Sequence, residues 1–297
     1  MSLFATSYDV LLVTRVFSGF GAGLILISHS FIISRCANPD RTFAHAFILM
    51  SVFFTTFMWS TGAIVHNIGL TGLYLAIIAV CLLFLPIFLS LFDISHSRLH
   101  KNESSNQQLD KPKAIPITRW TIVLLLLASV AILSFIEMGL WTFAERIADM
   151  MLIPTNKVSI ILGLSNLMVL VGAAVASIGM RFSRTLSVIF GIMFTGLACA
   201  FTATADSELS YTIAILCYGF GFGFVSPYII GTAAKIDREG RVVAWTNGVM
   251  QSLGALAPYL AGVLIISFTY KSLGWILMIL TFLSMAIIYP VTKIVKD

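Results

Sequence analysis

Two ionisable side chains interrupt stretches of this chain that are otherwise apolar: Arg15, within a block from about residue 8 to 34, and Glu137, within one from about 119 to 144. A charge at the middle of a hydrocarbon layer costs about 3 kcal/mol or more, so a residue of this kind is by default one that does something. A carboxylate in such a place can take up and release a proton or hold a cation. An arginine can pair with it or anchor an anionic group. Each lies about seven residues from the outer end of its block, roughly 10 Å deep at 1.5 Å per residue, so the two share a level. The competing interpretation is structural: Arg15 snorkels outward, and Glu137 pairs with Arg146 or a backbone group near the interface.

Asn166 and Tyr218 fall at a comparable depth of roughly 12–14 Å in their own blocks, and Trp141 stands one helical turn from Glu137. Together they could form a polar site with an aromatic wall. Taken singly, Trp141 also fits an interfacial belt and Asn166 an interhelical hydrogen bond. His29, Asn247 and Gln251 lie toward the opposite half, where structural hydrogen bonding is the simpler role. The apolar blocks contain no Ser/His/Asp set, no HExxH and no paired carboxylates, so an enzyme is not expected. No GxxxxGK[ST] loop is present, which argues against a self-contained nucleotide-driven pump. Cys36, Cys81, Cys199 and Cys217 have no metal-ligand spacing, so free thiols and no metal or cofactor are expected.

The elements that must position these residues follow from composition. Of 297 residues, 59% are hydrophobic and 10% charged, and mean hydropathy is +0.98, a surface unsuited to water. Apolar runs such as 122–133 and 187–203 lack the alternation of a transmembrane barrel strand. The expected fold is therefore an all-α polytopic membrane bundle with the lipid bilayer as partner. About nine spans are expected, near 8–34, 43–66, 69–92, 119–144, 158–180, 185–204, 209–234, 242–267 and 272–294. No basic residue precedes the first apolar block, so the first helix is expected to remain in the mature protein.

The cations sort by loop. Fourteen of the eighteen Lys and Arg residues fall in one alternate set of loops, which includes Arg41, Arg241 and the C-terminal Lys293 and Lys296. The other set holds only Arg146, Lys157 and Lys271. The positive-inside rule places the first set and the C-terminus in the cytoplasm and the N-terminus outside, with a bacterial inner membrane as the expected location. Charge sorting accounts for the net charge of +5 without a nucleic-acid partner. Residues 93–118 are long and polar, and are expected to form a flexible cytoplasmic linker between residues 1–92, with three helices, and residues 119–297, with six.

At an offset of 200 residues the sequence repeats. Gly19, Phe20, Gly21 and Gly23 fall on Gly219, Phe220, Gly221 and Gly223, Arg41 falls on Arg241, and Gly62 on Gly262. Both copies enter the membrane from the same side, which makes this a parallel repeat of helices 1–3 as helices 7–9. Gly19 with Gly23, and Gly219 with Gly223, are four apart and form a small-residue face for close helix packing; a flexible segment near a solute path is the alternative. Pro227 and Pro258 mark expected kinks in spans seven and eight, which gating helices use.

RVFSGFGAG followed by NPDR, YGFGFGFVSP followed by DREGR, and SLGALAPYLAG together resemble the fourth, tenth and eleventh helices of the major facilitator superfamily. That resemblance implies two six-helix halves joined by a long cytoplasmic loop, here 93–118, with residues 1–92 equivalent to helices four to six and 119–297 to a complete second half. It also implies that three helices expected before residue 7 are missing from the pattern. The Gly-Pro motif of drug/proton antiporters is absent from FMWSTGAIVHNIG. By the same resemblance the helices carrying Arg15 and Glu137 line a central cavity. The function it implies is secondary active transport of a small solute by alternating access, coupled to protons. The alternative is a non-transporting remnant or membrane partner subunit.

Overall fold

The structure, a computed structural model, describes residues 8–34, 39–103, 117–178, 183–237 and 240–295, and all regular structure among them is helical. The helices are α1 (Tyr8–Ser34), α2 (Pro39–Glu103), α3 (Ile117–Trp141), α4 (Ala144–Met150) and α5 (Thr155–Ile178), then α6 (Arg184–Ala203), α7 (Glu208–Ile236), α8 (Arg241–Ser267) and α9 (Tyr270–Ile294). The six long helices from α3 onward, α4 excepted, are long and apolar enough to cross a membrane, and Arg41–Phe57 and Thr71–Pro86 are shorter apolar segments. The protein is a multi-pass α-helical membrane protein.

One expectation needs correction. The fourth span does not run to residue 144: α3 ends at Trp141, and the chain turns through Thr142 and Phe143 into the short α4. Phe143 N donates to Leu140 O at 2.9 Å, an i−3 bond that closes the helix early. After residue 92 the chain continues as α2 to Glu103. No Gly or Pro occurs between residues 87 and 111 to stop it, and a solvated helix needs no apolar face to continue for a few turns.

The 200-residue repeat recurs in local structure. Helices α1 (Tyr8–Ser34) and α7 (Glu208–Ile236) occupy matching ranges, and α8 and α9 are separated near residues 268–269. At the matching place α2 contains Gly69 with φ 75° and ψ −171°, a conformation open essentially only to glycine, which divides it into two helical segments. The counterpart of Gly69 is Thr269, whose hydroxyl accepts a bond from Ser272 N at 3.2 Å to cap α9.

The chain divides into two compact units, one of residues 1–18 with 58–114 and one of residues 19–57 with 115–297. In the first, α2 continues from residue 58 through Gly69 to Glu103 as the main element. In the second, α7 packs between α5 and α6, α6 also meets α9, and α3 meets α8 and α9. The interior of this second unit holds two apolar cores stacked along the helices. One contains Val123, Leu126 and Leu133 of α3 with Ile192, Val225 and Ile288, and it is joined by Ile33 of α1 and Phe43 of α2. The other contains Ile136 and Leu140 of α3 with Cys199, Tyr211, Ile215 and Leu277.

A polar waist lies where the two cores meet. It is formed by Ser129 and Ser134 of α3, Thr195 of α6, and Thr281 and Ser284 of α9, all buried, and Glu137, also buried, lies farther along α3, four residues before its end. The threonines return their hydroxyls to carbonyls four residues back, Thr195 to Gly191 O at 2.8 Å and Thr281 to Leu277 O at 2.7 Å. Ser284 meets Ser129 of α3 hydroxyl to hydroxyl at 2.8 Å, tying α3 to α9. Without water to solvate them, such groups must be satisfied internally.

Glycines set the close approach of α7 to its neighbours. A Cβ added at Gly219 would meet the Ser165 carbonyl oxygen of α5, one at Gly223 the Val169 carbonyl oxygen, and one at Gly221 the Thr195 hydroxyl of α6 at 2.5 Å. The alternating glycines thus serve two faces at once, and van der Waals packing between backbones is what holds helices together in lipid. At Gly19 and Gly23 an added Cβ meets nothing within 4 Å among the described residues.

Candidate functional site

A cavity of about 220 Å³ opens inside the second unit between α2, α3, α5 and α7. Helix α2 contributes Met50, Ser51 and Phe54; α3 contributes Met138 and Trp141. Ser165, Asn166 and Val169 of α5 and Tyr218 and Phe222 of α7 complete it. Three of the five residues singled out from sequence, Trp141, Asn166 and Tyr218, therefore share one space. The Trp141 and Tyr218 ring centroids are 5.9 Å apart, those of Tyr218 and Phe222 6.2 Å, and those of Phe222 and Phe47 6.0 Å, a continuous aromatic wall.

Helix geometry aligns these residues. Trp141 stands three residues beyond Met138, and Tyr218 four before Phe222, so each pair shares a face. The close approach of α5 to α7 permitted by Gly219 and Gly223 brings Ser165 and Asn166 to that wall. The polar groups lean on helix carbonyls: the Ser51 hydroxyl donates to Phe47 O at 2.8 Å, the Ser165 hydroxyl to Ile215 O at 2.7 Å, and Asn166 Nδ2 to Leu162 O at 3.1 Å. What the two serines offer the cavity is consequently an acceptor oxygen.

Glu137 stands one turn from Trp141, behind the wall rather than in it. It is 2% exposed, and its Oε1 has no hydrogen-bond partner among the described residues. Its charge is within electrostatic reach of the Tyr218 hydroxyl and the Cys199 thiol. Two further buried hydroxyls without partners are near in sequence register: Ser134, one turn before Glu137 on α3, and Thr55, one turn beyond Ser51 on α2. Native interiors hold few such atoms, because each costs about 1–3 kcal/mol and a charged group more. The structural alternative for Glu137 is not realised through Arg146, whose guanidinium lies over the Phe143 ring, 5.6 Å from its centroid.

The remaining expected residues are placed as follows. The backbone of Arg15 lies in α1, and its side chain is outside the described residues. Pro227 and Pro258 lie inside α7 and α8, both of which continue as helices past them. Arg41 is exposed, and Arg241 bonds Asp237 Oδ2 through Nε at 3.2 Å and through its backbone N–H at 3.0 Å. His29 meets the Phe43 ring edge-on at 6.4 Å; Asn247 is buried and Gln251 exposed. At the end of the bundle that carries few cations, Lys157 pairs with Glu208 at 3.1 Å and Lys271 with Asp206 at 2.8 Å.

Met50, Phe54, Met138 and Phe222 were not expected from sequence, because an apolar residue lining a cavity looks the same there as one facing lipid. Their spacing from Ser51, Trp141 and Tyr218 on one helical face was the available signal. A larger groove of about 680 Å³ between α6 and α7 is lined by Phe194, Leu197, Phe201 and Ile213, with Asp206 at its rim. It is apolar along its length, and Phe201 and Ile213 are exposed, as on a lipid-facing surface. Convergent polar groups favour the smaller cavity as the site.

A family model described as Major Facilitator Superfamily matches residues 1–258. Among solved structures, one titled as a bacterial homologue of the iron transporter ferroportin in an outward-facing state is similar, with a TM-score of 0.55 and 18% identity, over 99% of this chain and 75% of that one. At that identity the likeness is one of fold. A search of curated proteins found no match.

Proposed function

This chain belongs to the major facilitator superfamily, and from that premise we propose that it is a secondary active transporter whose solute occupies the cavity between α2, α3, α5 and α7, with Glu137 as the proton-coupling carboxyl. One observation carries the proposal: a carboxyl that is 2% exposed, lacks a partner at Oε1 among the described residues and stands one turn from Trp141 of a ring-walled cavity. A buried ion without a counter-charge is expensive, so Glu137 favours neutralisation, by a proton or by a cation. Binding of one then depends on the other, which is the linkage that coupled transport requires.

Among the described residues, Glu137 couples electrostatically to Tyr218 of α7 and Cys199 of α6, neither of which is a cation. The stacked cores give the rest of the mechanism. Two apolar plugs, one on either side of a polar level, can open in turn while the site stays at the waist, which is alternating access. Gly219 and Gly223 let α7 slide on α5, and Pro227 and Pro258 weaken the backbone ladder where α7 and α8 would bend. The cation-rich loops and the C-terminus face the cytoplasm, as their Lys and Arg content supports, in a bacterial inner membrane.

Flux into proteoliposomes under an imposed pH gradient, measured over a panel of small charged and neutral solutes, tests this. Wild type should drive at least one solute, and Glu137→Gln should abolish the dependence on the gradient while the protein still inserts and purifies. Gradient-driven flux that is unchanged in Glu137→Gln would sink the coupling assignment. No flux of any solute would favour a non-transporting membrane subunit.

A further inference from the structure

We infer that the cavity selects a small monovalent organic cation, an ammonium ion with an apolar body; its role as cargo rests on the transporter reading above, but its recognition does not. Three features of the lining point the same way. First, the wall is built from π faces: Trp141, Tyr218 and Phe222 stand in sequence at 5.9 and 6.2 Å, and Phe54 lines the same space. Ring quadrupoles attract cations and do nothing for anions, and a desolvated ring contributes about 2- to 30-fold in affinity. The Met50 and Met138 thioethers add polarisable contact suited to a methylated or alkylated nitrogen.

Second, the hydroxyl donors are turned away. Ser51 and Ser165 donate their hydrogens to Phe47 O and Ile215 O, and Asn166 commits one N–H to Leu162 O. The oxygens of these side chains are therefore the atoms presented to a ligand. Among the described residues no Lys, Arg or His lines the cavity, and there an anionic group finds neither a counter-charge nor serine donors. Third, Glu137, one turn from Trp141 on α3, has a buried oxygen with no hydrogen-bond partner among the described residues. A single carboxylate balances a single positive charge, which argues for a monovalent cation.

Size narrows the class. About 220 Å³ holds about seven water-sized units at roughly 30 Å³ each. Choline and tetramethylammonium are of that scale, whereas tetrabutylammonium exceeds it several-fold in alkyl bulk.

The test is equilibrium binding to the full chain in lipid nanodiscs, using choline, tetramethylammonium, tetrabutylammonium and 3,3-dimethyl-1-butanol, the neutral carbon isostere of choline. The expected order is choline and tetramethylammonium at least tenfold tighter than the neutral isostere, with tetrabutylammonium weaker than both. Glu137→Gln should lower choline affinity at least tenfold and leave the isostere unchanged. Trp141→Ala should lose about tenfold, and Trp141→Phe, which keeps a ring and the fold, should stay within about threefold of wild type. The inference is overturned if the isostere binds as well as choline, if no ammonium ion binds saturably, or if a divalent metal ion or a carboxylate binds in preference. Ammonium binding without flux keeps this site and removes the transporter reading. Flux of other solutes that choline does not inhibit keeps transport and removes the cation site.

Discussion

Substituting alanine at the two glycine pairs of the repeat gives opposite outcomes from the same chemical change. At Gly223 the new methyl group falls against the Val169 carbonyl oxygen, and at Gly219 against that of Ser165, both backbone atoms of α5 that no rotamer change can move aside. Ordinary van der Waals contact begins at 3.4 Å, so α5 and α7 must part by on the order of 1 Å. A gap of that size forfeits a quarter to a half of each dispersion contact along the interface, and overpacking of this kind costs about 1–3 kcal/mol. Alanine recovers up to about 1 kcal/mol in helix propensity, which leaves a net loss of about 2 kcal/mol at either position. At Gly19 and Gly23 nothing among the described residues lies within 4 Å, so only the gain remains. Equilibrium unfolding in mixed micelles, followed by retention of the folded monomer on size exclusion, should rank Gly223→Ala and Gly219→Ala well below wild type and Gly19→Ala and Gly23→Ala at or slightly above it. The double variant at 219 and 223 should cost less than the sum, because one displacement accommodates both methyl groups. Equal effects in the two copies, or a neutral Gly223→Ala, would refute the close-approach account of α7.

Other consequences follow from single contacts. Ser129→Ala or Ser284→Ala removes the hydroxyl pair between α3 and α9 and should cost about 0.6–1.7 kcal/mol in the same unfolding assay, with the double variant close to either single. Gly69→Ala forces a side chain into a glycine-only conformation and should destabilise by about 1–3 kcal/mol, read as a lower unfolding midpoint. Asp237→Ala removes the acceptor for the first N–H of α8 and for the Arg241 guanidinium, and should cost about 1 kcal/mol; Asp237→Asn, which keeps an acceptor, should cost less.

Much of the architecture was legible because a bilayer imposes so few solutions: blocks of about 20 apolar residues become helices, and loop cations sort by side. The repeat was legible as well, down to a break at Gly69 matching that before Thr269. The end of α3 was not, because the turn at Thr142–Phe143 is made by a backbone i−3 bond that apolar content does not announce. Helix α2 passed beyond residue 92 because polarity alone does not stop a helix that lacks Gly or Pro. At the site, Trp141, Asn166 and Tyr218 stood out as polar or aromatic residues at one depth, and they share the cavity. Met50, Phe54 and Phe222 were hidden, since lipid and solute select the same apolar side chains. The missing partner of Glu137 Oε1 could not be inferred at all, because satisfaction of a buried atom depends on which helices meet there. Gly19 and Gly23 read identically to Gly219 and Gly223, and only tertiary structure separates them: α5 covers one pair, and no described residue comes within 4 Å of a Cβ at the other.

The central claim is that one site at the polar waist is reached from each side of the membrane in turn. Its most direct test is the accessibility of a cysteine at position 166, introduced as Asn166→Cys with Cys36, Cys81, Cys199 and Cys217 changed to serine, in sealed vesicles of both orientations. A membrane-impermeant thiol reagent should modify it from both faces, and reversing the imposed pH gradient should shift the ratio of the two rates. Modification from one face only, or a ratio indifferent to the gradient, would contradict the account.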